Sequence, residues 1–396
     1  MLSIDSATFL IATACLVGIM RWLPRNPASL WHLAISVGVW ASLLDGTRSA
    51  IVGVVFVLLP FGLLKLSAGR RYTAAFVIVV QLGLFLWVRG YPSLIPALAS
   101  LDWVEHSIAV VGISYILFRQ IDWTLWTDAN RSEETSLVEY LNFTMSLFTI
   151  LAGPIARFDS FRGDFLRANA GMNRKGFLSI CNRIVNGYVK VVLLAPLLSQ
   201  ISSLEFVAGN DYSLPSRLIS FYAYPFFIYL NFAGYCDVVI GLAKLAKFDL
   251  PENFNRPFLS TNVQEFWQRW HISFSTWIRD YVFYPLLKGM RTHVPRIPAR
   301  IAMVGSLFFS FILVGLWHGP TIGYLIFGVL HGIAVVAVAP YEKLLSGIFG
   351  ERGMNLYLTN PVVRFLRVLV CFHFLCATIA LFERTPEQAL ALMPFP

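Results

Sequence analysis

IAMVGSLFFSFILVGLWHG, residues Ile301 to Gly319, runs from Ile301 to Leu316 without a single charge and then ends on Trp317, His318 and Gly319. A membrane-spanning helix needs about 20 consecutive, mostly apolar residues, and a spanning β-strand would instead alternate apolar and polar positions. This stretch does not alternate. It reads as a transmembrane helix with an imidazole in its last turn, and an ionisable group at such depth marks a cavity or pathway more often than a lipid-facing surface.

The same pattern recurs along the chain. Apolar runs fall at Thr8–Leu23, Leu30–Leu44, Ala50–Ser67, Thr73–Val88, His106–Ile121, Phe177–Ile201, Leu218–Ala243, Ile301–Leu316, Ile322–Ala339 and Val362–Leu381. The composition is 57% hydrophobic and 13% charged, with a mean hydropathy of +0.65, outside the range of a soluble domain. The expected class is therefore all-α: a polytopic membrane protein of about ten spans, because only helices and closed barrels satisfy their backbone groups in lipid. The net charge of +9 comes from short Lys/Arg clusters between apolar runs, a topology signal that excludes a nucleic-acid-binding stripe. Cys15, Cys181, Cys236, Cys371 and Cys376 contain no CxxC pair, so they read as small core residues, not a disulfide framework or a metal knuckle. The first run lacks a basic leader and a small-residue cleavage site, and is expected to be an uncleaved span.

Arg21 and Arg25 lie at and just beyond the end of the first run, and Lys65, Arg70 and Arg71 at and just beyond the end of the third. Both loops are thereby assigned to the cytoplasmic side, with the N-terminus, and after ten crossings the C-terminus, outside. Leu137–Ala156 is apolar enough to span, yet Arg157, Arg162, Arg167, Arg174 and Lys175 follow it, and its LAGPIARF carries Gly153 and Pro154. It is expected to enter and return, or to lie buried within the bundle. The charge argument also places Lys244 to Arg300 inside.

That inner region holds FWQRWHISFSTWIRDY, Phe266 to Tyr281. Read as one helix, it puts Trp267, Trp270, His271, Phe274, Trp277, Ile278 and Tyr281 on one side, and Thr261 with Gln264 fits a capping box for a start near Asn262. An interfacial helix with tryptophans at headgroup level would explain the indoles without chemistry. It gives no reason for an imidazole among them. A third histidine, His331 in FGVLHG, suits either an interhelical hydrogen bond or a site. The chain has no GxSxG elbow, P-loop, HExxH motif or carboxylate-rich metal cluster near these histidines. A cavity-facing imidazole does suit general-base work on a hydroxyl attacking a thioester.

YLNFAGYCDVVIGLAKL, PENFNRPFLSTNVQEFWQRWHISFSTWIRDYVFYPL, GLWHG and FGVLHG, with fainter echoes in GISYILFRQ and LAGPIARF, together resemble the membrane-bound O-acyltransferases of the bacterial branch. That branch includes the alginate and cellulose O-acetylation proteins and the teichoic-acid D-alanyl transfer proteins. The resemblance implies a helical bundle with re-entrant or interfacial helices around a central tunnel. It implies one integral-membrane domain over 1–396: peripheral spans in 1–135, a catalytic core in 136–340, and a C-terminal span and tail in 341–396. It carries the catalytic base onto His318 and its companion onto His271. Asn253, Asn255, Trp267, Arg269, Trp270, Arg279, Asp280, Trp317 and His331 fall to the substrate-binding wall, although Arg279 beside Asp280 also reads as an ion pair holding a helix.

No bound cofactor or metal is implied. The co-substrate would be an acyl thioester, acetyl-CoA or an acyl-carrier protein, from the cytoplasmic side. The acceptor would be an envelope polysaccharide, reached directly or through an extracytoplasmic SGNH-type acyltransferase, at the inner membrane. The resemblance leaves acetyl and D-alanyl transfer both open, with acetyl favoured, and the alginate and cellulose proteins usually continue beyond the point that corresponds to Pro396. A transporter or flippase with a histidine proton relay would call for carboxylates beside the histidines, and Asp237 is the only acid in the relevant spans. A catalytically silent scaffold would leave His271 and His318 far apart.

Overall fold

Pro60 lies inside an apolar helix and has no N–H to offer the carbonyl of Phe56, a backbone defect that lipid would not satisfy. The fold satisfies it from a neighbour: the Gln120 amide donates to that carbonyl at 2.9 Å, and the Tyr140 hydroxyl donates to the next, Val57, at 2.6 Å. The architecture of the first part of the chain follows from such contacts. The structure is a computed structural model and describes residues 7–22, 25–44, 46–67, 72–91, 112–166, 173–382 and 384–393.

Among these the chain is all-α. Its helices are α1 (Ala7–Trp22), α2 (Arg25–Ala41), α3 (Gly46–Leu66), α4 (Thr73–Val88), α5 (Ile113–Ala129), α6 (Leu137–Thr144) and α7 (Phe158–Leu166). They continue with α8 (Arg174–Ile201), α9 (Leu204–Ala208), α10 (Leu214–Leu245), α11 (Val263–Arg269), α12 (Ile272–Ile278) and α13 (Tyr284–His293). The last four are α14 (Ala299–His318), α15 (Ile322–Thr359), α16 (Pro361–Ile379) and α17 (Pro386–Leu392). Six of them, α3, α8, α10, α14, α15 and α16, are long and apolar enough to cross a membrane. This is a multi-pass membrane protein.

Nine of the ten apolar runs coincide with helices, and the tenth, His106–Ile121, is helical from Ile113 onward, its first part lying outside the described residues. Among the described residues α1, α2, α4 and α5 run for 16 or 17 residues, about 25 Å of helix against a hydrocarbon core of about 30 Å.

The chain divides into two compact units, Met1–Val189 with Gly234–Pro251, and Lys190–Ala233 with Glu252–Pro396. In the first, α6 has a capping box of Ser136 and Glu139 and stops after eight residues. Met145 to Ala156 then follow an irregular, largely buried path and do not cross as a helix. Arg119 holds this path, its Nη1 donating to the Phe143 carbonyl at 3.3 Å and to the Thr149 hydroxyl. The Ala152 N–H donates to the Tyr235 hydroxyl at 3.2 Å, and Asp122 accepts the Phe158 N–H at 2.6 Å, starting α7. Irregular backbone is tolerable here because protein satisfies it.

The second unit is built around the hairpin of α14 and α15. Their backbones meet at glycines: a β-carbon on Gly315 would lie 2.3 Å from the Tyr324 carbonyl oxygen and 3.0 Å from Gly328 Cα. α15 is interrupted at Gly350, which has a φ of 64°.

Candidate functional site

The stretch read as one helix is two. α11 ends at Arg269, Trp270 is extended (φ −110°, ψ 130°), and His271 is left-handed (φ 45°, ψ 52°) before α12 begins. The cause lies upstream, in residues 253–255. Phe254 and Trp270 form an isolated antiparallel bridge, and the Asn255 N–H donates to the Arg269 carbonyl at 2.9 Å. The Asn253 carbonyl accepts the Ile272 N–H at 3.0 Å, and its side-chain oxygen accepts the Ser273 N–H at 3.1 Å. Helical continuation through Trp270 would leave these groups unpaired, so the strap breaks the helix and aims the imidazole inward. Helix periodicity had no means of showing this.

The cap also differs from the one expected. Asn262, not Thr261, is the N-cap and accepts the Glu265 N–H at 2.8 Å, while the Thr261 N–H and hydroxyl bind the Glu265 carboxylate at 2.7 and 2.8 Å. Glu265 also receives Arg269 at 2.6 Å. Partial burial works against its charge, but the Thr261 bonds and the Arg269 guanidinium outweigh that and lower its pKa.

Two of the sequence-selected histidines come together. His271, 4% exposed, stacks on Phe274 with centroids 4.9 Å apart and meets Phe232 edge-on at 4.8 Å. Trp317 lies 6.1 Å from the His271 ring and 4.5 Å from the His318 ring. Phe382 meets the His318 ring edge-on at 4.4 Å, and Tyr324 stacks on it at 5.5 Å. Burial, and then the neighbouring His318, push the His271 imidazole down to about 3; it is neutral, and its Nε2 is buried with no hydrogen-bond partner among the described residues. A neutral imidazole nitrogen in an aromatic enclosure can accept a proton or orient a polar reactant.

The other selected residues divide by what they touch. Trp267 donates its indole N–H to His331 Nδ1 at 3.1 Å, His331 Nε2 lies 2.9 Å from the Thr378 hydroxyl, and that hydroxyl donates to the Phe374 carbonyl at 2.9 Å. Because Nδ1 accepts, Nε2 carries the proton. Both nitrogens of His331 are thus engaged in a brace across α11, α15 and α16. Trp270 packs between Phe254, Phe258 and Phe266. Asn253 is buried and Asn255 exposed. Arg279 pairs with adjacent Asp280 at 2.8 Å, both partly solvent-exposed.

Phe232, Phe382 and Thr378 carry no local signal of a site: they reach His271, His318 and His331 from distant positions in the chain. Among the described residues no cluster of three His, Cys, Asp or Glu side chains could hold a metal.

Known proteins bear on this arrangement. The chain is 32% identical over 233 residues to a probable alginate O-acetylase of Pseudomonas fluorescens, covering 58% of this chain and 45% of that one. It is 28% identical over 285 residues to a teichoic acid D-alanyltransferase of Bacillus subtilis, covering 71% and 70%. It is 29% identical over 258 residues to a peptidoglycan O-acetyltransferase of Helicobacter pylori, covering 65% and 46%. The match thus spans less than half the length of the alginate relative. Residues 65–381, which contain both histidines and the strap, match the membrane-bound O-acyltransferase family as a whole, and the chain belongs to that family.

Proposed function

We propose that this chain transfers an acyl group, acetyl by preference, from a cytoplasmic thioester to hydroxyls of an envelope polysaccharide, working in the inner membrane. The observation that carries the reading is the convergence of two imidazoles, from the α11–α12 break and from the end of α14, on the single indole of Trp317. His318 takes the proton of the acceptor hydroxyl as its oxygen attacks the thioester carbonyl. The C–S bond then breaks, an ester forms, and the imidazolium returns the proton to the departing sulfur, which leaves as the thiol. His271 offers its free Nε2 edge to orient the donor or acceptor at that carbonyl. The donor is acetyl-CoA or an acylated carrier protein. The acceptor is the polymer itself or an extracytoplasmic SGNH-type partner that carries the group onward.

His318→Ala is expected to remove the polymer ester while leaving protein level and thermal unfolding unchanged. Full acylation by that variant sinks the assignment. The Bacillus subtilis match, which covers 70% of that transferase, favours D-alanyl transfer as the second reading. Mass analysis of surface polysaccharide with and without the protein separates the two, because an acetyl group adds no charge and a D-alanyl group adds a cationic amine.

A further inference from the structure

Beside the histidine pair, within the second unit, lies a cavity of about 590 Å³, in the size range of ligand sites. One wall is a face of α14, where Met303, Leu307, Phe311 and Val314 follow each other at helical spacing. That face spans about 16 Å and ends one turn before His318. Val336 of α15 and Trp267 of α11 contribute further walls. His271, Trp317 and His318 do not line it. Phe274 does, and Phe274 is also the ring stacked on both His271 (4.9 Å) and Trp317 (4.5 Å). It is 1% exposed.

We infer that Phe274 is the acyl-length determinant of this enzyme: its ring closes the histidine pair off from an adjoining apolar cavity and restricts the donor to short acyl groups. The inference rests on the transferase reading. A two- or three-carbon acyl group needs no space beyond Phe274, whereas a longer alkyl chain has no path past the stacked Phe274 and Trp317 rings. Truncating Phe274 joins the cavity to His271 and gives an alkyl tail an apolar slot along α14. The chemistry is unchanged: thioester and hydroxyl become ester and thiol.

The test uses membranes containing the full chain, given acetyl and octanoyl thioesters of coenzyme A and, separately, of acyl-carrier protein. Esters in the polysaccharide fraction are released with mild alkali and identified by mass spectrometry. The wild type is expected to transfer the short group only. Phe274→Ala and the milder Phe274→Leu are expected to raise the octanoyl-to-short-acyl ratio by about tenfold or more, the discrimination an apolar pocket delivers when its size changes. Phe274→Ala combined with Val336→Phe, which refills the cavity, is expected to bring the ratio back down.

An unchanged ratio in variants that still form ester overturns the inference and leaves the transferase reading standing. Loss of all transfer in both Phe274 variants also overturns it, because the ring would then be a support for His271. Absence of any ester with the wild type overturns the transferase reading and the inference with it.

Discussion

His271 adopts a left-handed backbone conformation that costs a residue with a β-carbon about 1–2 kcal/mol. It is held there by the strap, and most directly by Asn253, which accepts both the Ile272 and Ser273 N–H groups. The resemblance places Asn253 on the substrate-binding wall, whereas its hydrogen bonds in the structure go to the two residues that follow His271. Asn253→Ala should therefore lower kcat by roughly tenfold to a hundredfold with KM little changed, the effect of a misplaced catalytic group, and Asn253→Asp, which keeps the acceptor, should recover much of it. Steady-state acyl transfer reads this out, and a raised KM at intact kcat would return Asn253 to substrate contact. The buried imidazole also sets a pH dependence. In the unfolded chain it protonates near 6.5 and in the folded chain only near 3, so stability is retained above 6.5 and declines as pH falls between those values. The loss is at most about 1.4 kcal/mol per pH unit. Thermal unfolding in detergent at pH 7 and pH 5 should show the decline, and His271→Gln should flatten it.

Between elements, the α14–α15 hairpin depends on backbone contact at Gly315 and Gly328. Any side chain at Gly315 forces the two helices apart directly below His318. Gly315→Ala should destabilise the protein by about 1–3 kcal/mol, the usual cost of overpacking, and should depress transfer beyond what the stability loss explains, as measured by unfolding and activity on the same preparation. In the first unit the corresponding contact is polar. Gln120→Leu leaves the Phe56 carbonyl, already deprived of its helical donor by Pro60, buried and unpaired, at a cost of about 1–3 kcal/mol. A drop in melting temperature checks this, and a variant as stable as wild type would show that the Pro60 defect is satisfied another way.

For the whole molecule, the apolar runs of the sequence and the helices of the structure agree closely, because a helix in lipid must satisfy its own backbone and a long uncharged run has few alternatives. Where an apolar segment fails to stay helical, its backbone is paired from elsewhere. Leu137–Ala156 is as apolar as a span, yet it stops being helical at Met145, where Arg119 and Tyr235 supply partners for its irregular course. FWQRWHISFSTWIRDY has a helical apolar face, yet it breaks at Trp270 because residues 253–255 pair with it. The candidate site shows the same division. His271 and His318 stand out in the sequence as imidazoles in apolar surroundings, while Phe232 and Phe382, which enclose them, are two phenylalanines among 33.

The sequence by itself determined the all-α membrane class and the positions of the apolar helices, and it singled out two histidines as candidates, since each follows from local hydropathy and from the cost of burying an ionisable group. Only the tertiary structure decided that His271 points inward from a broken helix, that His331 is committed to Trp267 and Thr378, and that Phe274 stands between the histidine pair and an apolar cavity. Each of these depends on hydrogen bonds or ring contacts between residues that the chain brings together only on folding.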